Sequence, residues 1–365
     1  MTVEYRLDVY TAAGVLQAVL TGSASGGFRT LTYNKRVNEG GLLQFSLDGT
    51  DPMVALLEDK GIVEVWRRNL AESIAWYCDM IGLYRKQERF YSTGPEFVAT
   101  CQHPLALLGW RTIGWLAGTA DRSMFIADPA ETVMKVMVDY NASANATVAN
   151  GREREPNTLG ITVQADGANG NVVDWYCAWD NLLESLRELA QVGGGDYDLV
   201  STGAAAWEFR WYTGQLGTDR TASLIFSLEH GNMANPVYRL DRLREATAAI
   251  VCGDGVGAAR NVTIRTGTDY AAGNDIEIVH ANGMLTTVAG RETAGDRKLL
   301  ERQAEPTFDF DVLQAGAKLY GRDYFLGDLV TARYDVVEET RKIVAIGVDW
   351  KVDGKEVITV EAGQV

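Results

Sequence analysis

Along most of this chain apolar residues alternate with polar ones, which predicts half-buried β-strands. Tyr5, Leu7 and Val9 alternate with Arg6, Asp8 and Tyr10; Thr11-Ala12-Ala13-Gly14 makes a turn, and Val15 to Leu20 returns, a hairpin pattern. Phe28 to Lys35, then Leu43, Phe45 and Leu47, repeat the alternation, followed by β-formers in 61–66, 74–84 and 97–102. One short helix interrupts them at Pro52–Glu58, with Asp51 placed to cap it and Pro52 in its first turn.

The period changes in the middle. Val133, Met134, Met137 and Tyr140 recur at helical spacing behind Asp128-Pro129-Ala130-Glu131, which has the form of a capping box with Asp128 as cap. Leu182, Leu183, Leu186 and Leu189 make a second helical stripe, opened by Asn181 and stopped by Gly193-Gly194-Gly195. Strands follow at 197–200, 207–212 and 223–227, and later at 247–252, 261–265 and 276–280. A charged helix is expected over 294–303. Phe308 and Phe310 then alternate with acids, and strands at 329–334, 341–350 and 356–361 complete the set, the last two joined through Asp353-Gly354. The expectation is an α+β, β-dominated chain: two small barrel-like β domains, 1–120 and 236–365, flanking an α+β middle domain, 121–235.

Composition supports a chain with real cores. Of its 365 residues 46% are hydrophobic, and 38 glycines against 7 prolines suit many turns between strands. The net charge of −15 removes the clustered cations that gripping nucleic acid or an anionic membrane requires. The sharper reading of that charge is a surface that repels passing DNA. Cys78, Cys101, Cys177 and Cys252 are far apart and lack zinc spacing, so they read as buried thiols of a reducing compartment. The first residues carry no signal-peptide pattern, and no apolar run is long enough to span a bilayer; a chain made and folded in the cytoplasm without a membrane anchor is the expectation.

Chemistry is hard to find. His103, His230 and His280 are scattered, and none sits in a metal-binding motif. Cys101 and His103 share a strand face, yet no orienting partner can be named. Gly253-Asp254-Gly255-Val256-Gly257 imitates a dinucleotide loop, but a β-branched strand follows where a helix would have to begin, so it reads as a turn. Arg152-Glu153-Arg154-Glu155 alternates in sign as a solvated strand or loop does, and Phe308-Asp309-Phe310-Asp311 reads as an alternating strand with its acids outward. Trp207, Phe209 and Trp211 share one strand face and read as core. No catalytic, cofactor or metal residue is assigned.

Five segments recur in a recognisable order: Arg36-Val37-Asn38-Glu39-Gly40, Asn181-Leu182-Leu183-Glu184, Asp219-Arg220-Thr221, Phe226 through His230 to Gly231-Asn232, and Tyr320-Gly321-Arg322-Asp323-Tyr324-Phe325-Leu326-Gly327-Asp328-Leu329-Val330. Together they resemble the siphophage and prophage tail-tip hub family, of the baseplate-hub or tail-associated-lysin N-terminal type. The resemblance implies a trimeric hub that closes the distal tail tube at the virion tail tip, with DNA passing through its channel. Its two barrel-like domains would form a pseudo-sixfold ring. The implied partners are the distal tail protein, the tape measure protein and tail-fibre or receptor-binding proteins. The chain ends at Val365, soon after its last hairpin, so no appended hydrolase is expected. Two other readings remain open: a peptidoglycan hydrolase using unrecognised carboxylates, and a host-carbohydrate binder using Trp207, Trp211 and Tyr212. The resemblance draws attention to Arg36, Asn38, Glu39, Gly40, Asp219, Arg220, Gly231, Asn232, Tyr320, Gly321, Asp323, Leu326, Gly327 and Asp328. At the last corner Gly327 would supply a backbone turn that other residues take at a cost, and Asp328 would hold nearby amides.

Overall fold

In a computed structural model, residues 3–23, 26–91, 93–114, 123–313 and 318–363 are described. The expected boundary at 120–121 and the two residues at each chain end fall outside them. The chain is β-dominated, 49% strand against 16% helix, which fixes its class as α+β with sheets carrying the framework.

One sheet contains strands from both ends of the sequence. Its order runs Met233–Asp241, Glu305–Val312, Glu356–Gly363, Val337–Lys351, Thr30–Arg36, Leu42–Asp48, Pro95–Gln102, Ile74–Tyr91, Ile62–Asn69, Glu4–Tyr10, Leu16–Thr21. Val337–Lys351 joins the halves. Its first part pairs with Leu329–Tyr334, and Lys342 to Trp350 pair with Glu356–Gly363. Ala345 to Lys351 pair antiparallel with Thr30–Arg36. Alternation along these strands turns Leu31, Tyr33, Phe45, Ile346, Val348 and Val360 inward, into one apolar cluster that also takes Phe226, Phe308, Phe310 and Tyr324. The Asp-Gly turn forms as expected, with Gly354 at φ +82°.

The middle packs around a second cluster. Helices Ala130–Ala142 and Leu182–Gly193 press Val133, Met134, Met137, Leu182, Leu186 and Leu189 against Tyr197, Trp207, Phe209 and Trp211 of a three-stranded sheet. Asn181 does cap its helix, accepting from Glu184 N at 3.3 Å. Asp128 does not cap the other: it lies in the strand Ser123–Pro129, and Pro129 takes the cap position without a side-chain bond. The first helical amides donate to loop carbonyls instead, Ala130 N to Asn171 O at 2.9 Å and Glu131 N to Asn169 O at 3.1 Å. Arg152, expected in a solvated segment, is buried and donates to Thr112 O and Asn141 Oδ1.

A third, smaller unit has Ala248–Cys252 at its centre, with Val262–Thr266 antiparallel on one side and Glu277–Ala281 parallel on the other. The charged helix covers one face of this sheet; it spans Val288–Leu300, earlier than expected, and is capped by Thr287 Oγ1 accepting from Gly290 N at 2.9 Å.

Because both halves share one sheet and one core, they should unfold together. Ile346→Ala, in the joining strand and fully buried, is expected to remove about 2–5 kcal/mol. A urea titration followed by tryptophan fluorescence should show an earlier midpoint while the large sheet still unfolds in one step.

Candidate functional site

The residues singled out by the sequence collect at the seams between units. Gly327 has φ +85°, and a Cβ there would lie 2.7 Å from Gly217 N and 2.8 Å from Leu216 Cβ, so the corner admits only glycine without rearrangement. Asp328, 2% exposed, accepts from Thr218 N at 2.7 Å, Phe325 N at 2.9 Å and Arg220 Nε at 2.6 Å. The segment 219–221 is thereby bound to the corner: Arg220 N also donates to Leu329 O at 2.9 Å, while Asp219 closes its own turn by accepting from Thr221 N at 3.0 Å. Asn232 folds the 226–232 loop by accepting from Ser227 N at 3.0 Å and donating to Ile225 O at 2.8 Å, with Gly231 at φ +63°. Asp323 holds the 320–324 turn through Leu319 N at 2.7 Å, and Gly321, at φ +82°, lets Tyr77 approach. Leu326 packs against the main cluster.

The turn after the third strand ties all three parts of the sequence together. Arg36 grips Glu361 with two bonds, 2.8 and 2.9 Å, and Glu39 at 3.1 Å. Asn38, at φ +61°, donates to Asp196 Oδ1 at 2.9 Å, and its own Oδ1 accepts from Tyr197 N at 2.8 Å. Asp196 also accepts from Leu216 N at 2.7 Å and pairs with Lys342 of the joining strand at 2.5 Å. Gly40, at φ +81°, lies against His103.

Sequence reasoning missed the most buried charges. Arg67 and Glu356, with side chains 1% and 5% exposed, form a two-bonded pair at 2.8 Å each. Arg67 also reaches Tyr5 Oη at 3.1 Å, Tyr77 Oη at 3.3 Å and Tyr320 O at 3.1 Å. Beside it Asp79 accepts from Lys35, Tyr33 and Tyr320. Burial pushes the Asp79 carboxyl up, but the Lys35 charge and the bonds from Lys35, Tyr320 and Tyr33 outweigh that and hold it below its ordinary value. Lys35, Arg67, Asp79 and Glu356 all lie in strands, and only the fold reveals which of the polar strand positions face inward.

A cleft of about 520 Å³ opens at this junction, lined by Lys35, Asn38, Asp79, His103, Tyr197 and Leu326 among others. Several of its polar groups are already bonded within the protein, Lys35 to Asp79 and Asn38 to Asp196 among them. His103 Nδ1 accepts from Leu105 N at 3.3 Å, and burial lowers its pKa. Burial raises the Cys78 thiol to about 12 and pushes Cys101 up as well, so both resist forming thiolate. Ser227 and His230 do meet, at 2.6 Å, but Ser227 is 1% exposed and also accepts from His230 N at 3.1 Å, a loop-closing arrangement without open access. Among the described residues no group of His, Cys, Asp and Glu could hold a metal. The Gly253–Gly257 segment turns through a short 3-10 helix into Val262–Thr266. Trp207 and Trp211 are core, 3% and 6% exposed, so neither ring offers a face to a sugar.

Gly327→Val is expected to lower stability by at least ~2 kcal/mol, from backbone strain and contact with 216–217, and to lower assembly with it; calorimetry and sedimentation read both effects. Asp79 has a depressed folded pKa, so its contribution is present above the unfolded value of about 3.9 and fades as pH falls below it. The difference in urea midpoint between wild type and Asp79→Asn should therefore be wide at neutral pH and shrink in acid.

The family model described as Siphovirus ReqiPepy6 Gp37-like protein matches residues 9–364. No curated protein matches in sequence. Solved structures are similar in fold. The 43 kDa tail protein of prophage MuSo2 from Shewanella oneidensis has a TM-score of 0.62 at 13% identity, covering 99% of this chain and 98% of that one. A tail protein from Neisseria meningitidis MC58 gives 0.59 at 11%, covering 99% and 96%. Prophage tail protein gp18 from Listeria monocytogenes EGD-e gives 0.57 at 11%, covering 99% and 94%. The chain thus has the fold of prophage tail proteins, and it belongs to the Siphovirus ReqiPepy6 Gp37-like family.

Proposed function

We propose that this protein is a structural component of a long-tailed phage tail tip, a trimeric baseplate hub that closes the distal tail tube. The observation that carries this reading is agreement in fold over the whole length of prophage tail proteins. The geometry supports it: the buried charges hold strands to strands, and the cleft at their junction presents no activated nucleophile or base. The division into 1–120, 121–235 and 236–365 stays part of this proposal, as do the positioning roles of the motif residues. In the hub the chain would act without catalysis. It would meet the distal tail protein and the tape measure protein above, and fibre or receptor-binding proteins below. A net charge of −15 suits a conduit through which DNA passes without sticking.

Native mass spectrometry of the purified protein tests the reading. The expected result is a complex of three chains; a clean monomer at high concentration contradicts the hub. Incubation with purified cell wall should release no fragments, and reproducible release would favour the hydrolase reading instead.

A further inference from the structure

The strand Ile74–Tyr91 is 18 residues long, but its neighbour on one side accompanies only the first part of it. Ile62–Asn69 pairs with Ile74 to Leu83, and the last bonds on that side join Tyr84 N to Gly61 O at 2.8 Å and Lys60 N to Tyr84 O at 2.9 Å. On the other side Pro95–Gln102 goes on pairing as far as Tyr91. Arg85 to Tyr91 are therefore bonded along one edge, while among the described residues no strand pairs with the other. An antiparallel strand sends alternate N–H and C=O groups to each side, so this edge offers a row of outward backbone donors and acceptors. Every residue from Arg85 to Tyr91 is exposed, whereas Phe97 and Ala99 of the paired strand are in the core. At ~3.3 Å per residue the free edge is about 23 Å long, room for a strand of ordinary length.

The side chains along this edge indicate what it accepts. Arg85, Lys86 and Arg89 outnumber Glu88, on a chain whose net charge is −15. Arg85 pairs with Asp59 at 2.7 Å and Lys86 with Glu88 at 2.9 Å, but both pairs are solvent-exposed and exchange for others at little cost. Arg89 lies over the Phe97 ring at 5.3 Å and meets no carboxylate among the described residues. Phe90 and Tyr91, 47% and 78% exposed, end the strand with an aromatic side chain on each face. Pairing with a second copy of the same edge would set a cationic strand against a cationic strand, which like-charge repulsion disfavours. A strand carrying carboxylates meets the same backbone groups and neutralises the cations.

We propose that Arg85–Tyr91 is a docking edge that takes an extended acidic segment of a partner protein as an added strand. Backbone bonds hold the segment, Arg85, Lys86 and Arg89 select its carboxylates, and Phe90 and Tyr91 pack on its apolar residues. The edge is complete within one chain, so the proposal is independent of how many copies assemble. The probe is a fluorescent synthetic peptide of about eight residues, alternating valine and glutamate. A valine–lysine peptide and a single-stranded oligodeoxynucleotide with the charge of the acidic peptide serve as comparisons. Anisotropy should show the acidic peptide binding, with affinity falling as salt rises. Hydrogen exchange should show the amides of 85–91 protected when it is bound. Lys86→Glu and Arg89→Glu, both at exposed positions, should each weaken binding about ten-fold, the loss of one charge-assisted contact, and keep the wild-type melting curve. Absence of binding, equal binding of the lysine peptide, unchanged affinity in both variants, or binding without protection of 85–91 overturns the proposal. So does equal binding of the oligonucleotide, which would mean that charge alone attracts the ligand.

Discussion

The antiparallel pairing of Ala345–Lys351 with Thr30–Arg36 is the contact on which the rest of the molecule depends. It makes one sheet from strands at opposite ends of the sequence, and it brings Glu356 over Arg67 and Tyr320 over Asp79. A buried ion pair gives little net stability, because desolvation consumes most of the attraction. What it gives is selectivity. A sheet shifted in register would leave Arg67 or Asp79 uncompensated in an apolar core, at a cost of several kcal/mol. The network therefore discriminates against misassembled sheets more than it tightens the right one.

The same economy explains why the junction does not look like a reactive centre. A catalytic cleft keeps some polar groups unsatisfied or displaced in pKa toward working pH. Here Asp79 is held ionised by its neighbours, His103 is buried and already bonded, and the thiols are pushed away from ionisation. Asn38, Asp196 and Lys342 connect the first strands, the middle unit and the joining strand in one chain of bonds, and Arg36 beside them grips Glu361 of the last strand. Rigidity across three units is what a part under mechanical and assembly constraints needs.

Local signals were legible in the sequence; long-range ones were not. Gly327 with Asp328 could be read because one residue supplies the positive φ and the next caps amides close by. Asn181 and the Asp353-Gly354 turn were legible for the same reason. Asp128 misled because the amides it would have capped reach carbonyls of Asn169 and Asn171 across a loop. The start of the helix at Val288 was hidden by Gly290 and Gly295, which break the apolar period. Both are small because the Tyr176 ring and the Arg265 side chain press against them, 2.6 Å from where a Cβ would stand. The partner of the joining strand and the inward turn of Arg67, Asp79 and Glu356 depend on pairings across most of the chain, and no local pattern records those.

The central claim, that this chain is building material closing the end of a phage tail, is tested most directly by electron cryomicroscopy of virions that carry it. The account predicts density at the distal end of the tail tube that three copies of this fold fill around the tube axis. Density for the chain elsewhere in the virion, or a tail tip complete without it, would contradict the account.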